Sequence, residues 1–248
     1  MPEFEAMTID HAGTRLQGFL AHPEGAARGP AVLMFPGATG PGATFCATAR
    51  ELAGLGYLAV GVDMYGADAD IATPQAAGVH FAALLEAPDR LRARVVAWFE
   101  AVAARGDVDP ARVAAIGYCF GGKCVLELAR SGADVKAAVA YHGLLTTHAP
   151  ARPGAVKAQV AVWSGGRDPY APVAELDALR AELDAAGASY QATLFSYAQH
   201  SFTDPDHDTI GLEGIAYHPL AHRVSWAGTL CLLEQTIGSC PGRAPNRP

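Results

Sequence analysis

The chain is short of charge. Asp, Glu, Lys and Arg make up only 17% of its 248 residues, against 50% hydrophobic. That balance excludes a disordered chain, which is rich in charge and poor in apolar side chains. A basic run is also missing: 18 Lys and Arg stand against 25 Asp and Glu, a net charge of −7, so no nucleic-acid partner is expected. No apolar stretch reaches the length of a membrane span, and no membrane partner is expected. The opening MPEFEAMTID has neither a basic n-region nor an apolar h-region, so no secretory signal is expected. The five cysteines, at 46, 119, 124, 231 and 240, include no C-x-x-C pair. An odd count without a leader argues against a disulfide framework or zinc knuckle and for reduced thiols in a cytoplasmic protein. HExxH and EF-hand spacings are absent. The acidic stretch Asp204-Pro205-Asp206-His207-Asp208 therefore reads as a solvated loop with turn aspartates, and neither metal nor cofactor is expected. Internal repeats and low-complexity linkers are missing too. At about 150 residues per domain the length gives roughly 1.7 domains, compatible with a single α/β domain over 1–248. Within it, 1–14 is an N-terminal strand region and 239–248 a frayed tail.

Short apolar runs alternate with helical stretches. Ala31–Phe35, Tyr57–Val62, Arg112–Gly117, Val135–Tyr141, Gln159–Ser164 and Tyr190–Phe195 are candidate strands. Four of these six are almost wholly apolar, as central strands covered on both faces must be. Phe4–Ile9 and Arg15–Ala21 bracket His11-Ala12-Gly13 as an opening hairpin. Between the runs, Leu91, Val95, Trp98, Phe99 and Val102 recur at helical spacing over Pro88–Ala104. Val173, Leu176, Leu179 and Leu183 do the same, with Gly187 as a stop. Further helices are expected over Cys46–Leu55, Lys123–Ala129 and Val224–Ile237, and long loops over Gly66–Pro74 and Ser201–His222. Such alternation implies crossover connections and a mostly parallel sheet.

One segment carries chemistry. Gly117-Tyr118-Cys119-Phe120-Gly121 has the form G-x-C-x-G, directly after a strand and before a helix. This is the context of a nucleophile elbow, with Cys where hydrolases more often have Ser. A sharp strand-to-helix turn strains the nucleophile's backbone, and small residues two positions to either side let the chains pass. The helix N-terminus then faces the sulfur and favours the thiolate, and the Phe120 N–H faces a developing oxyanion. A P-loop reading of Gly117–Cys124 fails at Cys124, where Mg²⁺ requires a Ser or Thr oxygen.

A cysteine nucleophile needs a base, and the base an orienter. Asp168 follows the run Gln159–Ser164, and His200 follows Tyr190–Phe195, so both fall past strand C-termini on the same sheet edge as Cys119. The order nucleophile, acid, histidine is that of the elbow hydrolases. His142, also past a strand end, is the rival base. Asp168 in GGRDP is equally suited to a turn aspartate. Cys46, Cys124 and Cys231 read as buried small hydrophobes. Tyr65, Tyr118, His142 and Trp163 stand near strand ends or the elbow and are candidate pocket walls.

Through GYCFGG at Gly117–Gly122, GGRDP at Gly165–Pro169, His200-Ser201-Phe202 and YLAVGVDMYG at Tyr57–Gly66, the chain resembles the dienelactone hydrolase family over about Arg15–Ile237. The resemblance implies an α/β-hydrolase fold, a mostly parallel central sheet with helices on both faces. It also implies a triad of Cys119, His200 and Asp168, hydrolysis through an acyl-cysteine, and Ala38 N–H as the second oxyanion donor beside Phe120. Two features of dienelactone-cleaving members do not carry over. Gly37 stands at the place of their thiol-holding glutamate, and Ala67 and Asp204 stand at the places of two carboxylate-gripping arginines. The expected substrate is thus a neutral or less acidic ester, lactone or thioester and not dienelactone itself, because an aspartate at the rim repels carboxylates. The alternatives are an isomerase or cyclase using the same pocket, and a non-catalytic ligand-binding module.

Overall fold

Charge-free runs of Val, Ala, Leu and Ile are suited to strands that face helices on both sides, and they lie at the centre of the molecule. The computed structural model describes residues 4–25, 28–206 and 212–238. The expected tail over 239–248, Cys240, and the His207-Asp208 end of the acidic stretch lie outside these. Eight strands form one sheet: β1 (Glu5–His11), β2 (Thr14–Ala21), β3 (Gly29–Phe35), β4 (Leu58–Gly61), β5 (Val108–Tyr118), β6 (Ala137–Tyr141), β7 (Gln159–Gly165) and β8 (Tyr190–Phe195), in the order β1-β2-β4-β3-β5-β6-β7-β8. The opening hairpin pairs antiparallel and joins β4 antiparallel, while β4, β3, β5, β6, β7 and β8 run parallel. Sequence order reverses between β3 and β5, and a crevice opens beyond the strand C-termini at such a switch point. The pairing Phe35↔Gly117 sets the residues after β3 beside those after β5.

Among the described residues, six helices cover the faces: α1 (Ala43–Gly54), α2 (Pro74–Leu85), α3 (Pro88–Ala103), α4 (Phe120–Ser131), α5 (Val173–Ala185) and α6 (Pro219–Ile237). In α3, Leu91, Val95, Trp98, Phe99 and Val102 are all buried, as their spacing predicts. Full burial of such a side chain stabilises by about 1.5–3 kcal/mol.

Three elements depart from the sequence expectation. Helix α2 occupies a stretch read as neither strand nor helix. Its sequence PQAAGVHFAALL has no polar face to produce an amphipathic signal, yet Pro74 opens it and Thr73 Oγ1 caps Ala76 N–H at 3.2 Å. Helix α6 begins at Pro219 rather than Val224, with His218 as its cap. Its buried stripe contains Ser225 and Thr229, which blurs the apolar period. Both are satisfied inside: Tyr141 Oη and Trp163 Nε1 donate to Thr229 Oγ1, and Ser225 Oγ donates to the His222 carbonyl. Cys231 falls off this stripe and is exposed, contrary to the expected buried thiol, whereas Cys124 is buried. Strand β5 begins at Val108, ahead of the expected run Arg112–Gly117, with Asp109-Pro110 at an irregularity where the pairing jumps from Gly29↔Val108 to Ala31↔Val113.

Candidate active site

The elbow requires its glycines on steric grounds alone. A Cβ on Gly117 would lie 2.0 Å from the Gly121 carbonyl oxygen, and one on Gly121 would lie 2.0 Å from that of Phe35. Gly122 crosses Gly143, where a Cβ would lie 2.6 Å from Cα. Between them Cys119 adopts φ 54°, ψ −114°, a region that costs a non-glycine residue about 1–3 kcal/mol. The strain is held by the Cys119 N–H bond to the Tyr141 carbonyl at 3.0 Å and by α4, whose Gly122 N–H donates to the Cys119 carbonyl at 3.0 Å. Helix α4 is buried along almost its whole length, so the elbow is fixed in the core.

Cys119, His200 and Asp168 meet at this edge. His200 Nδ1 lies 2.8 Å from Asp168 Oδ2, and both side chains are almost fully buried. Asp168 Oδ1 accepts the N–H groups of Tyr170 (2.8 Å) and Ala171 (3.1 Å), so the turn-aspartate role and the His-orienting role coexist on separate oxygens. The His200 backbone is clamped by its N–H to the Gly214 carbonyl and by the Ala216 N–H to its own carbonyl. The Cys119 thiol lies near His200 and the backbone N–H groups of Phe120 and Ala38, all of which act on its charge. Burial pushes this thiol up. The hydrogen bond and positive charge of His200, then the two N–H groups, outweigh it and leave the thiol below its ordinary value. Burial pulls His200 down, but its bonds to Asp168 and Cys119 push it up to about 10. Thiolate and imidazolium stabilise each other, the usual way of activating a cysteine.

Tyr65 braces both N–H donors. Its hydroxyl donates to the Ala38 carbonyl at 2.7 Å, and its ring stacks on Phe120 with centroids 5.9 Å apart. Asp63 caps the Tyr65 N–H at 2.7 Å, and Arg94 of α3 donates to the Met64 and Tyr65 carbonyls. No single-residue pattern in the sequence marks this brace.

A cavity of about 220 Å³ opens onto Cys119, with Thr44, Thr48, Tyr118, His142 and Thr203 among its walls. Asp204 and Asp206 are at its rim, and no Lys or Arg lines it among the described residues. Thr44 and Thr48, one turn apart on α1, were not singled out by the sequence. His142, the rival base, contacts the His200 ring edge-on at 5.1 Å and has Nε2 2.8 Å from Thr203 Oγ1, whereas Asp168 is bonded to His200. Gly37 lines this cavity, while Ala67 lines a neighbouring one. Trp163 packs beneath α6 against Gly228 and Thr229 instead of facing the cavity. Lys123 bonds the Thr146 carbonyl, engaged within the protein and not in the manner of a P-loop lysine. No group of three or more His, Cys, Asp or Glu is arranged to hold a metal among the described residues.

The sheet, its helices and the elbow at the switch point define an α/β-hydrolase. The dienelactone hydrolase family model matches residues 16–237, and the chain belongs to that family of hydrolases. Among solved structures it is similar to m3DLH, at 34% identity over 94% of this chain and 98% of that one, with a TM-score of 0.88. It is also similar to the dienelactone hydrolase-like promiscuous phosphotriesterase P91 from metagenomic libraries, at 33% identity over 94% and 98%, TM-score 0.86. A Bradyrhizobium protein named a probable 2-oxo-3-(5-oxofuran-2-ylidene)propanoate lactonase is 25% identical over 87% of this chain and 88% of its own. No helix among the described residues is long and apolar enough to cross a membrane.

Proposed function

We propose that this protein hydrolyses a neutral ester, lactone or thioester through an acyl-cysteine on Cys119, with His200 as proton carrier and Asp168 as its orienter. The observation that carries the reading is Cys119 on a strained elbow beside His200, whose Nδ1 is 2.8 Å from buried Asp168. The Cys119 thiolate attacks the carbonyl carbon and forms the S–C bond. The carbonyl oxygen becomes anionic between the N–H groups of Phe120 and Ala38, each donor lowering the barrier by about 3–4 kcal/mol. As the tetrahedral centre collapses, the bond to the alcohol or thiol breaks and the His200 imidazolium gives the leaving atom its proton. Neutral His200 then takes a proton from water, whose oxygen attacks the acyl carbon. The S–C bond breaks, the acid departs, and thiolate and imidazolium are restored.

Asp204 and Asp206 at the cavity rim, with no Lys or Arg lining the cavity among the described residues, support a neutral substrate over an anionic one. Similarity to a protein named a lactonase supports a cyclic ester, although the substrate in that name, a propanoate, is anionic. The test is a panel of p-nitrophenyl esters, lactones and thioesters with wild type and Cys119→Ala. The variant should retain its fold by circular dichroism and lose turnover by about 10³-fold or more, the scale of removing an activated nucleophile. Full activity in that variant rules the mechanism out.

A further inference from the structure

A second cavity of about 230 Å³ lies across the Gly37–Gly40 turn from the first, walled by Phe19, Met64, Tyr65, Ile71 and Phe120. Gly37 and Gly40 line both cavities. A Cβ on Gly37 would meet only Cys119 Cβ at 3.8 Å and the Tyr118 carbonyl oxygen at 3.9 Å. The side-chain space of residue 37 is therefore open and abuts the nucleophile. Each cavity alone is smaller than the roughly 300–1,000 Å³ of a small-molecule site, and the two together fall within that range.

The walls differ in chemistry. The first cavity carries threonine hydroxyls, His142 and two carboxylates, while the second is mainly aromatic and aliphatic, its carboxylate, Asp63, accepting the N–H groups of Gln17, Tyr65 and Gly66. The first is also the histidine side, since Ser201 and Thr203 line it and His142 touches the His200 ring. A leaving group must receive its proton from His200, so it must sit on that side. The acyl group then points the other way, past Gly37. We infer that the apolar cavity behind the Gly37–Gly40 turn is the acyl subsite, selecting an uncharged aliphatic or aryl acyl group, while the polar cavity takes the alcohol.

This inference rests on the acyl-cysteine reading, and its test uses ratios within one protein so that the two can fail separately. The p-nitrophenyl acetate, butyrate, hexanoate and octanoate series varies the acyl group. Acetates of phenol, benzyl alcohol and methanol vary the leaving group. Ile71 is at the cavity mouth and 37% exposed, so Ile71→Trp fills the cavity from a surface position. The octanoate-to-acetate ratio of kcat/KM should fall tenfold or more, within the roughly 10–200-fold that a mismatch in an apolar pocket produces, while the leaving-group ratios stay within twofold. Ile71→Ala should raise the octanoate-to-acetate ratio and carries the test if the tryptophan variant does not fold. A change confined to the leaving-group series would reverse the assignment, and no change in either series would remove the cavity from the substrate path. Either result overturns the inference while the loss of activity in Cys119→Ala stands.

Discussion

At the scale of single residues, the account turns on one proton shared between Cys119 and His200. Because the thiol lies below its ordinary value of 9.0 and the imidazole is raised to about 10, the ion pair exists between the two. Below the thiol's value the sulfur is protonated, and above about pH 10 the imidazolium loses its proton. Alkylation of Cys119 by iodoacetamide should therefore rise with pH to a half-maximum below 9. His200→Gln removes the effect of the imidazolium but leaves the burial, so the midpoint should move up. A midpoint that stays put in the variant would mean that the imidazole does not set the thiol's state. The placement of Cys119, Asp168 and His200 on one sheet edge was legible because each follows a strand end. Tyr65 was legible only as a candidate wall. Its bond to the Ala38 carbonyl crosses 27 residues of chain, and nothing local announces it.

Secondary elements were legible where burial is one-sided and regular, and lost where it is not. Helix α3 presents a continuous apolar stripe against polar neighbours, and its bounds follow from the spacing. Helix α2 has no polar face, and α6 buries Ser225 and Thr229, so both escaped a period-based reading in whole or in part. The elbow is the opposite case, because two glycines there have a steric reason that no other residue meets. Gly121→Ala would drive a methyl into the Phe35 carbonyl, which is backbone and cannot swing away. Separation of β3 from α4 should lower stability by about 1–3 kcal/mol or more, read as a lower urea midpoint, together with loss of esterase activity. A variant with an unchanged midpoint and full activity would show that the crossing is looser than described.

For the molecule as a whole, the sheet order explains why one edge collects the chemistry. The reversal between β3 and β5 opens a crevice that receives Ala38 from one side and Cys119 from the other, while β7 and β8 deliver Asp168 and His200. On a flank of this frame, Arg92 of α3, Glu127 and Arg130 of α4 and Glu182 of α5 form a largely buried ion-pair network. It joins three helices that are far apart in the chain. The sequence could not disclose it, since each charge alone resembles an ordinary surface residue. The parallel core and the site edge were legible because apolar runs and the loops after them follow local rules. Tyr65, Tyr118 and His142 were legible as cavity walls, whereas Thr44, Thr48 and Thr203 were not, because those walls form only when separate elements meet. The most direct test of the central claim is mass spectrometry of wild-type enzyme quenched in acid during turnover of p-nitrophenyl butyrate. The account predicts a single butyryl adduct on the peptide containing Cys119, appearing with the first burst of p-nitrophenol and absent from Cys119→Ala. Turnover with the acyl group on another residue, or sustained hydrolysis by Cys119→Ala, would contradict it.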